Sequence, residues 1–202
     1  MLKVIAFDCD GVMFDTRKAN RKYYNELLSH FGRPMLTDEQ FDYIHVHAVE
    51  QSVVYLFSPF VDLLEVNRYR KEMGYLRFLR YMQIEPDLKT LLKGLRPDFK
   101  TAVATNRTDT MDKVLDEFGL VDLFDLVVTA LDVPNPKPAP DCLESIFKTF
   151  QVAPSEVLYI GDSLLDQQAA GAAGTQFVAF GNRDLEADRH IRSFRELFHL
   201  FT

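Results

Sequence analysis

The chain opens on a short apolar run, residues 2–7 (LKVIAF), that ends in acid. Apolar residues at successive rather than alternate positions predict a parallel strand buried on both faces. Four more such runs follow, at 101–104, 126–129, 157–160 and 176–180. Between them the apolar spacing becomes helical over 109–118, 140–150 and 164–173, and Gly119 and Gly174 stand where C-caps belong. Strands alternating with helices predict βαβ units, and hence an α/β fold built on a parallel sheet with right-handed crossovers.

Residues 16–87 break that rhythm. They hold no clear buried strand and show helical patterning over 17–31, 37–56 and 61–82. Thr37, with Gln40 three residues on, reads as a capping box. This stretch is expected to be a helical insertion after strand one, leaving 1–15 and 88–202 as the core domain. Charge sets it apart too. Residues 16–88 hold 10 basic and 10 acidic side chains, whereas the remainder holds 13 and 20 and carries the whole net charge of −7. The run at 53–60 (VVYLFSPF) is expected to pack in a core or to form an oligomer interface.

Composition narrows the function classes. Hydrophobic residues make up 47% and charged residues 26%, an ordinary globular balance. The acidic net charge argues against a general nucleic-acid binder, which would carry a basic face. No apolar run approaches the ~20 residues that span a bilayer. The apolar N-terminus is interrupted by Asp8 and Asp10 and lacks a small-residue cleavage site, so it reads as a strand and not as a signal peptide. Cys9 and Cys142 make no disulfide framework, and a cytoplasmic location with reduced thiols is expected.

Candidate chemistry stands at the strand ends. Asp8, Asp10 and Asp15 follow strand one, with Gly11 in Asp8-Cys9-Asp10-Gly11-Val12. Ligands of open α/β sheets bind beyond the carboxyl ends of strands. Two carboxylates so close repel each other unless a cation or specific donors compensate. Gly11 would let the backbone turn closely around an anion. Thr105-Asn106, after 101–104, could hold phosphate oxygens through a hydroxyl and backbone N–H groups. Lys137 is stiffened between prolines in Asn135-Pro136-Lys137-Pro138-Ala139-Pro140 and suits a fixed anion. Asp162 and Asp166, in Gly161-Asp162-Ser163-Leu164-Leu165-Asp166, are expected to share a helix face at i, i+4 and to offer oxygens to Mg²⁺. Each signal alone also suits a cap or a solvated loop; their joint placement at one sheet edge is what points to a site.

These four ordered motifs resemble those of the haloacid-dehalogenase-like hydrolase superfamily, and the match covers nearly the whole chain. Residues 187–197 look like that family's C-terminal end. The helical insertion resembles the small cap of its phosphoglycolate-phosphatase and β-phosphoglucomutase branch. The resemblance implies a Rossmann-like core with a helical cap, and a Mg²⁺-dependent phosphatase of small organic phosphates such as phosphoglycolate or sugar phosphates. By resemblance Asp8 is the nucleophile that becomes an aspartyl phosphate, and Asp10 protonates the leaving alcohol and then activates water. The metal would be held by Asp8, the Asp10 carbonyl and Asp162. Asp166 would bind it through water or orient its ligands. Thr105, Lys137 and the N–H groups of Asp10, Gly11 and Asn106 would hold phosphoryl oxygens.

The cap is expected to close over the core and to choose the substrate. Arg68, Arg70, Lys71, Tyr23, Tyr24, His45 and His47 are the candidate contacts on it. Homo-oligomerisation through the cap is possible. The enzymatic rival is a sugar-phosphate mutase of the β-phosphoglucomutase type, whose cap histidine is replaced here by Asn20. The rival from another class is a non-catalytic phosphate-binding protein.

Overall fold

The computed structural model describes residues 1–46 and 49–198. The strands are β1 (Val4–Phe7), β2 (Phe14–Asp15), β3 (Gln83–Ile84), β4 (Lys100–Ala104), β5 (Leu126–Val128), β6 (Val157–Gly161), β7 (Gln176–Phe180) and β8 (Arg189–Ile191). The helices are α1 (Arg17–His30), α2 (Asp38–Val46), α3 (Val49–Phe57), α4 (Leu63–Met73), α5 (Leu88–Leu95), α6 (Met111–Glu117), α7 (Asp141–Phe150), α8 (Leu164–Ala173) and α9 (Phe194–Phe198). Six strands form one parallel sheet in the order β5-β4-β1-β6-β7-β8. The expected α/β fold with a Rossmann-like parallel sheet is therefore the fold observed.

The central strand explains its own sequence. All four residues of β1 are buried, because β4 and β6 flank it and helices cover both faces. A strand in that position has no wet face, so alternation is lost. α5 shows the complementary pattern: Leu88, Leu91, Leu92 and Leu95 are buried at i, i+3, i+4 and i+7, one apolar stripe. Neither α5 nor the short β2, β3 and β8 were expected from the sequence.

The chain divides into two compact units, Met1–Asp15 with Gln83–Thr202, and Thr16–Met82. The boundary near residue 87 expected from sequence lies at 82/83 instead. Gln83 and Ile84 pair antiparallel with Asp15 and Phe14, which ties that segment to the first unit.

The second unit is helical. Its capping box forms, with Gln40 N–H donating to Thr37 Oγ1 at 3.1 Å and Thr37 N–H to Gln40 Oε1 at 3.0 Å. The expected helix over 61–82 is interrupted at Gly74, where φ is +61° and α4 gives way to a 3-10 turn at Leu76–Tyr81. Tyr23 and Tyr24 are core residues of this unit. Arg70 is largely buried near Glu50, while Arg68 is exposed near Glu65. The 53–60 run is split: Val53, Leu56 and Phe57 are buried, but Val54, Tyr55 and Phe60 are exposed. Asn20 is held from both sides, accepting from the Tyr75 hydroxyl at 2.5 Å and donating to Thr16 Oγ1 at 3.4 Å. His47 lies outside the described residues. No helix among the described residues is long and apolar enough to cross a membrane.

Candidate active site

Asp8 is the first residue past β1, and its amide donates to Ile160 O at 2.8 Å. β4 and β6 lie on either side of β1, so their carboxyl ends bring Thr105 and Gly161-Asp162 out beside Asp8. Topology thus gathers three of the four motifs at one edge. The fourth, Lys137, arrives from the loop between β5 and α7. Asn106 clamps that loop in both directions: its Nδ2 donates to Lys137 O and its Oδ1 accepts from Lys137 N–H, each at 2.9 Å. The Asn106 side chain is therefore spent on positioning Lys137.

Lys137 is 5% exposed, and its ammonium has three protons to place. They meet Asp8 Oδ1 at 2.7 Å, Asp166 Oδ1 at 2.6 Å and the Tyr159 hydroxyl at 2.9 Å. Burial opposes its charge, but Asp166 and then Asp8 outweigh that and hold it above the usual lysine range. Asp166 is fully engaged. Beyond Lys137, its Oδ1 accepts from Tyr159 at 2.6 Å, and its Oδ2 accepts from Ser163 N–H at 3.0 Å and Ser163 Oγ at 2.5 Å. Burial pushes Asp166 up, yet Lys137 and these donors together hold its carboxyl below the usual carboxylate value.

The expected i, i+4 pairing on one helix face is corrected here. α8 begins at Leu164 with Ser163 as an extended N-cap, so Asp162 lies outside the helix. Asp162 and Asp166 still converge, because the chain turns at Ser163. Carboxylate oxygens of Asp8, Asp162 and Asp166 lie within 4.8 Å of one another. Burial raises Asp8 most; Lys137 pulls it down, Asp166 and Asp10 push it up, and it stands at about 7. Asp162 is driven well above its usual value by burial, then by Asp8 and Asp166. Two acids that burial and mutual repulsion so penalise are a donor set fitted to a hard divalent cation. Among the three, Asp166 has its oxygens already taken by four donors, which leaves Asp8 and Asp162 as the better side-chain ligands.

Two glycines make this crowding possible. A Cβ on Gly11 would lie 2.0 Å from Asp162 Oδ2, and one on Gly161 would lie 2.3 Å from Asp166 Cβ. Gly11 also has φ of +79°, which favours glycine. Its expected role as an N–H donor to phosphate does not fit, because that N–H donates to Phe14 O at 2.9 Å within the turn. Thr105 is buried; its hydroxyl accepts from Arg107 N–H at 3.1 Å and keeps its own proton to donate. Asp15 stands in β2 and is exposed.

The sequence matches the haloacid dehalogenase-like hydrolase family over residues 5–180. That span contains all four motifs. The chain belongs to the haloacid dehalogenase-like hydrolase family. It is 29% identical to a phosphoglycolate phosphatase of Chromobacterium violaceum, over 98% of this chain and 96% of that protein. It is 30% identical to a phosphoglycolate phosphatase of Nitrosospira multiformis, over 86% of this chain and 81% of that one. Among solved structures, a haloacid dehalogenase-superfamily hydrolase of subfamily IA, variant 1, from Geobacter sulfurreducens superposes with a TM-score of 0.87 at 34% identity. It covers 100% of this chain and 97% of that one.

Sequence reasoning missed two polar residues of this hydrolase. Tyr159 lies inside an apolar strand run and reads there as core; the signal was that a buried tyrosine needs a partner for its hydroxyl. Arg107 directly follows Thr105-Asn106, and a lone basic residue in a loop reads as solvated. In the structure its side chain is 8% exposed, and Nε and Nη2 meet Asp10 Oδ2 and Oδ1 at 2.8 and 2.7 Å.

Proposed function

We propose that the chain is a Mg²⁺-dependent phosphoric monoester hydrolase of a small organic phosphate, phosphoglycolate-like or a sugar phosphate, acting through an aspartyl phosphate on Asp8. The observation that carries the reading is the convergence of buried Asp8 and Lys137 with half-buried Asp162 at the carboxyl edge of a parallel sheet. The phosphatase names of the relatives that align over nearly the whole chain support the same reaction class.

Asp8 is the nucleophile, and its second oxygen, the one not paired with Lys137, faces the phosphorus. Asp162, Asp8 and the Asp10 carbonyl would hold Mg²⁺, whose charge would let a carboxylate approach a phosphate dianion. Lys137 fixes the Asp8 rotamer and adds a further positive charge where equatorial oxygens gather charge. Thr105 offers its hydroxyl proton to the same oxygens. Asp166 and Tyr159 hold Lys137 in place. Asp10 gives a proton to the leaving oxygen as the P–O bond breaks, then takes one from the water that hydrolyses the acyl phosphate. Acyl-phosphate formation also gives a direct readout. Phosphate release from an aryl phosphate, steady and needing no bisphosphate primer, separates this reading from a mutase and from a binding protein.

A further inference from the structure

We propose that Arg107 is the positioning residue for Asp10, the group that gives the leaving oxygen its proton; this inference rests on the function proposed above. The geometry is a planar fork. Nε and Nη2 of Arg107 each donate to a different oxygen of Asp10, at 2.8 and 2.7 Å. Such bidentate pairing fixes the plane of the carboxylate as well as its position, which a single ammonium cannot do. Each Asp10 oxygen accepts one of these bonds and keeps a second lone pair for the substrate side.

Arg107 is itself held. Its Nη1 donates to Thr110 Oγ1 at 3.2 Å, and its N–H donates to Thr105 Oγ1 at 3.1 Å. Its side chain is 8% exposed, against 38% for that of Asp10. A buried, braced guanidinium gripping a more open carboxylate describes a support and the group supported. Asp10 also needs one: it is two residues from Asp8, in a turn crowded by acids. An unsupported carboxylate there would be repelled away from the phosphorus.

The step at issue is the first. The Asp8–phosphorus bond forms and the bond from phosphorus to the leaving oxygen breaks. The electron pair stays on that oxygen, which takes the proton of Asp10. An alkoxide needs this proton far more than a nitrophenolate does. Loss of correct acid placement is therefore read as a leaving-group effect, which a general structural defect would not produce.

The test compares kcat/KM for an alkyl phosphate, glycerol phosphate, and for p-nitrophenyl phosphate in saturating Mg²⁺, with thermal unfolding as a check on folding. Asp10→Asn is expected to lose about 100-fold or more on the alkyl phosphate and much less on the aryl one. Arg107→Ala is expected to reproduce that selectivity at about 10-fold or more. Arg107→Lys, which keeps charge but not the fork, should lie between it and the wild type. In the Asp10→Asn background, Arg107→Ala should add no further selectivity. Equal losses on both substrates in Arg107→Ala, or in Arg107→Lys should the alanine variant not fold, would overturn the inference. So would a rise in KM alone, the mark of a substrate-binding arginine. Turnover surviving Asp8→Asn, or no leaving-group effect in Asp10→Asn, would instead remove the proposed function and this inference with it.

Discussion

Single atoms decide the shape of this site. Gly11 is the clearest case, because a Cβ there would fall 2.0 Å from Asp162 Oδ2 on a backbone already at φ +79°. Gly11→Ala should displace Asp162 and raise the Mg²⁺ concentration for half-activation by about 10-fold or more. An unchanged activation curve would contradict the placement of Asp162 as a ligand. Tyr159→Phe removes a hydroxyl that accepts from Lys137 and donates to Asp166. It leaves a buried donor unpaired, so denaturant unfolding should show a loss of about 1–3 kcal/mol. Lys137 would then be less well held against Asp8, and kcat should fall while KM moves little. The acids and Lys137 were legible in the sequence because charge at the end of an apolar run is conspicuous. Arg107 and Tyr159 were not, because each departs from its neighbours by one polar group whose partner is distant in sequence. The N–H of Gly11 was misread for a related reason: a turn consumes its own donors, and spacing does not show which.

Elements follow the same logic at larger size. The five short apolar runs were legible as strands because a strand covered on both faces has no polar side. β2 and β3, of two residues each, carry no period to read, and their pairing across the 67 residues between Asp15 and Gln83 was visible only once folded. α8 shows how a cap becomes chemistry. Ser163 Oγ accepts from Asp166 N–H and donates to Asp166 Oδ2, so the bond that starts the helix also aims a carboxylate at Lys137. Ser163→Ala should cost about 0.5–2 kcal/mol of stability, measured by denaturant midpoint. It should also lower kcat, since Asp166 loses the hydroxyl, one of its four donors. A stability loss with unchanged kcat would make the cap structural only.

At the scale of the whole molecule, the fold concentrates acid where the sheet ends. The first unit holds 13 basic and 22 acidic side chains against 10 and 8 in the second, and desolvation raises the proton affinity of Asp8 and Asp162. Asp8 moves from 3.8 to about 7 on folding, so between those values the folded chain holds a proton that the unfolded chain releases. Its contribution is therefore most favourable below about pH 4 and is lost as pH rises toward 7; Asp162 shifts in the same direction. Mg²⁺ competes with those protons. It should raise the melting temperature of metal-free protein more at pH 7.5 than at pH 5.5, and equal shifts would mean the acids do not bind it. The division into a sheet unit and a helical unit followed from the change in hydrophobic period, while its boundary depended on the β2–β3 pair that the period does not show.

The proposed function stands or falls on attack of Asp8 at phosphorus. Phosphate release from p-nitrophenyl phosphate, with Mg²⁺ and with chelator, for wild type and Asp8→Asn, tests it most directly. Turnover should require Mg²⁺ and disappear in Asp8→Asn. Turnover persisting in the folded Asp8→Asn protein would contradict it.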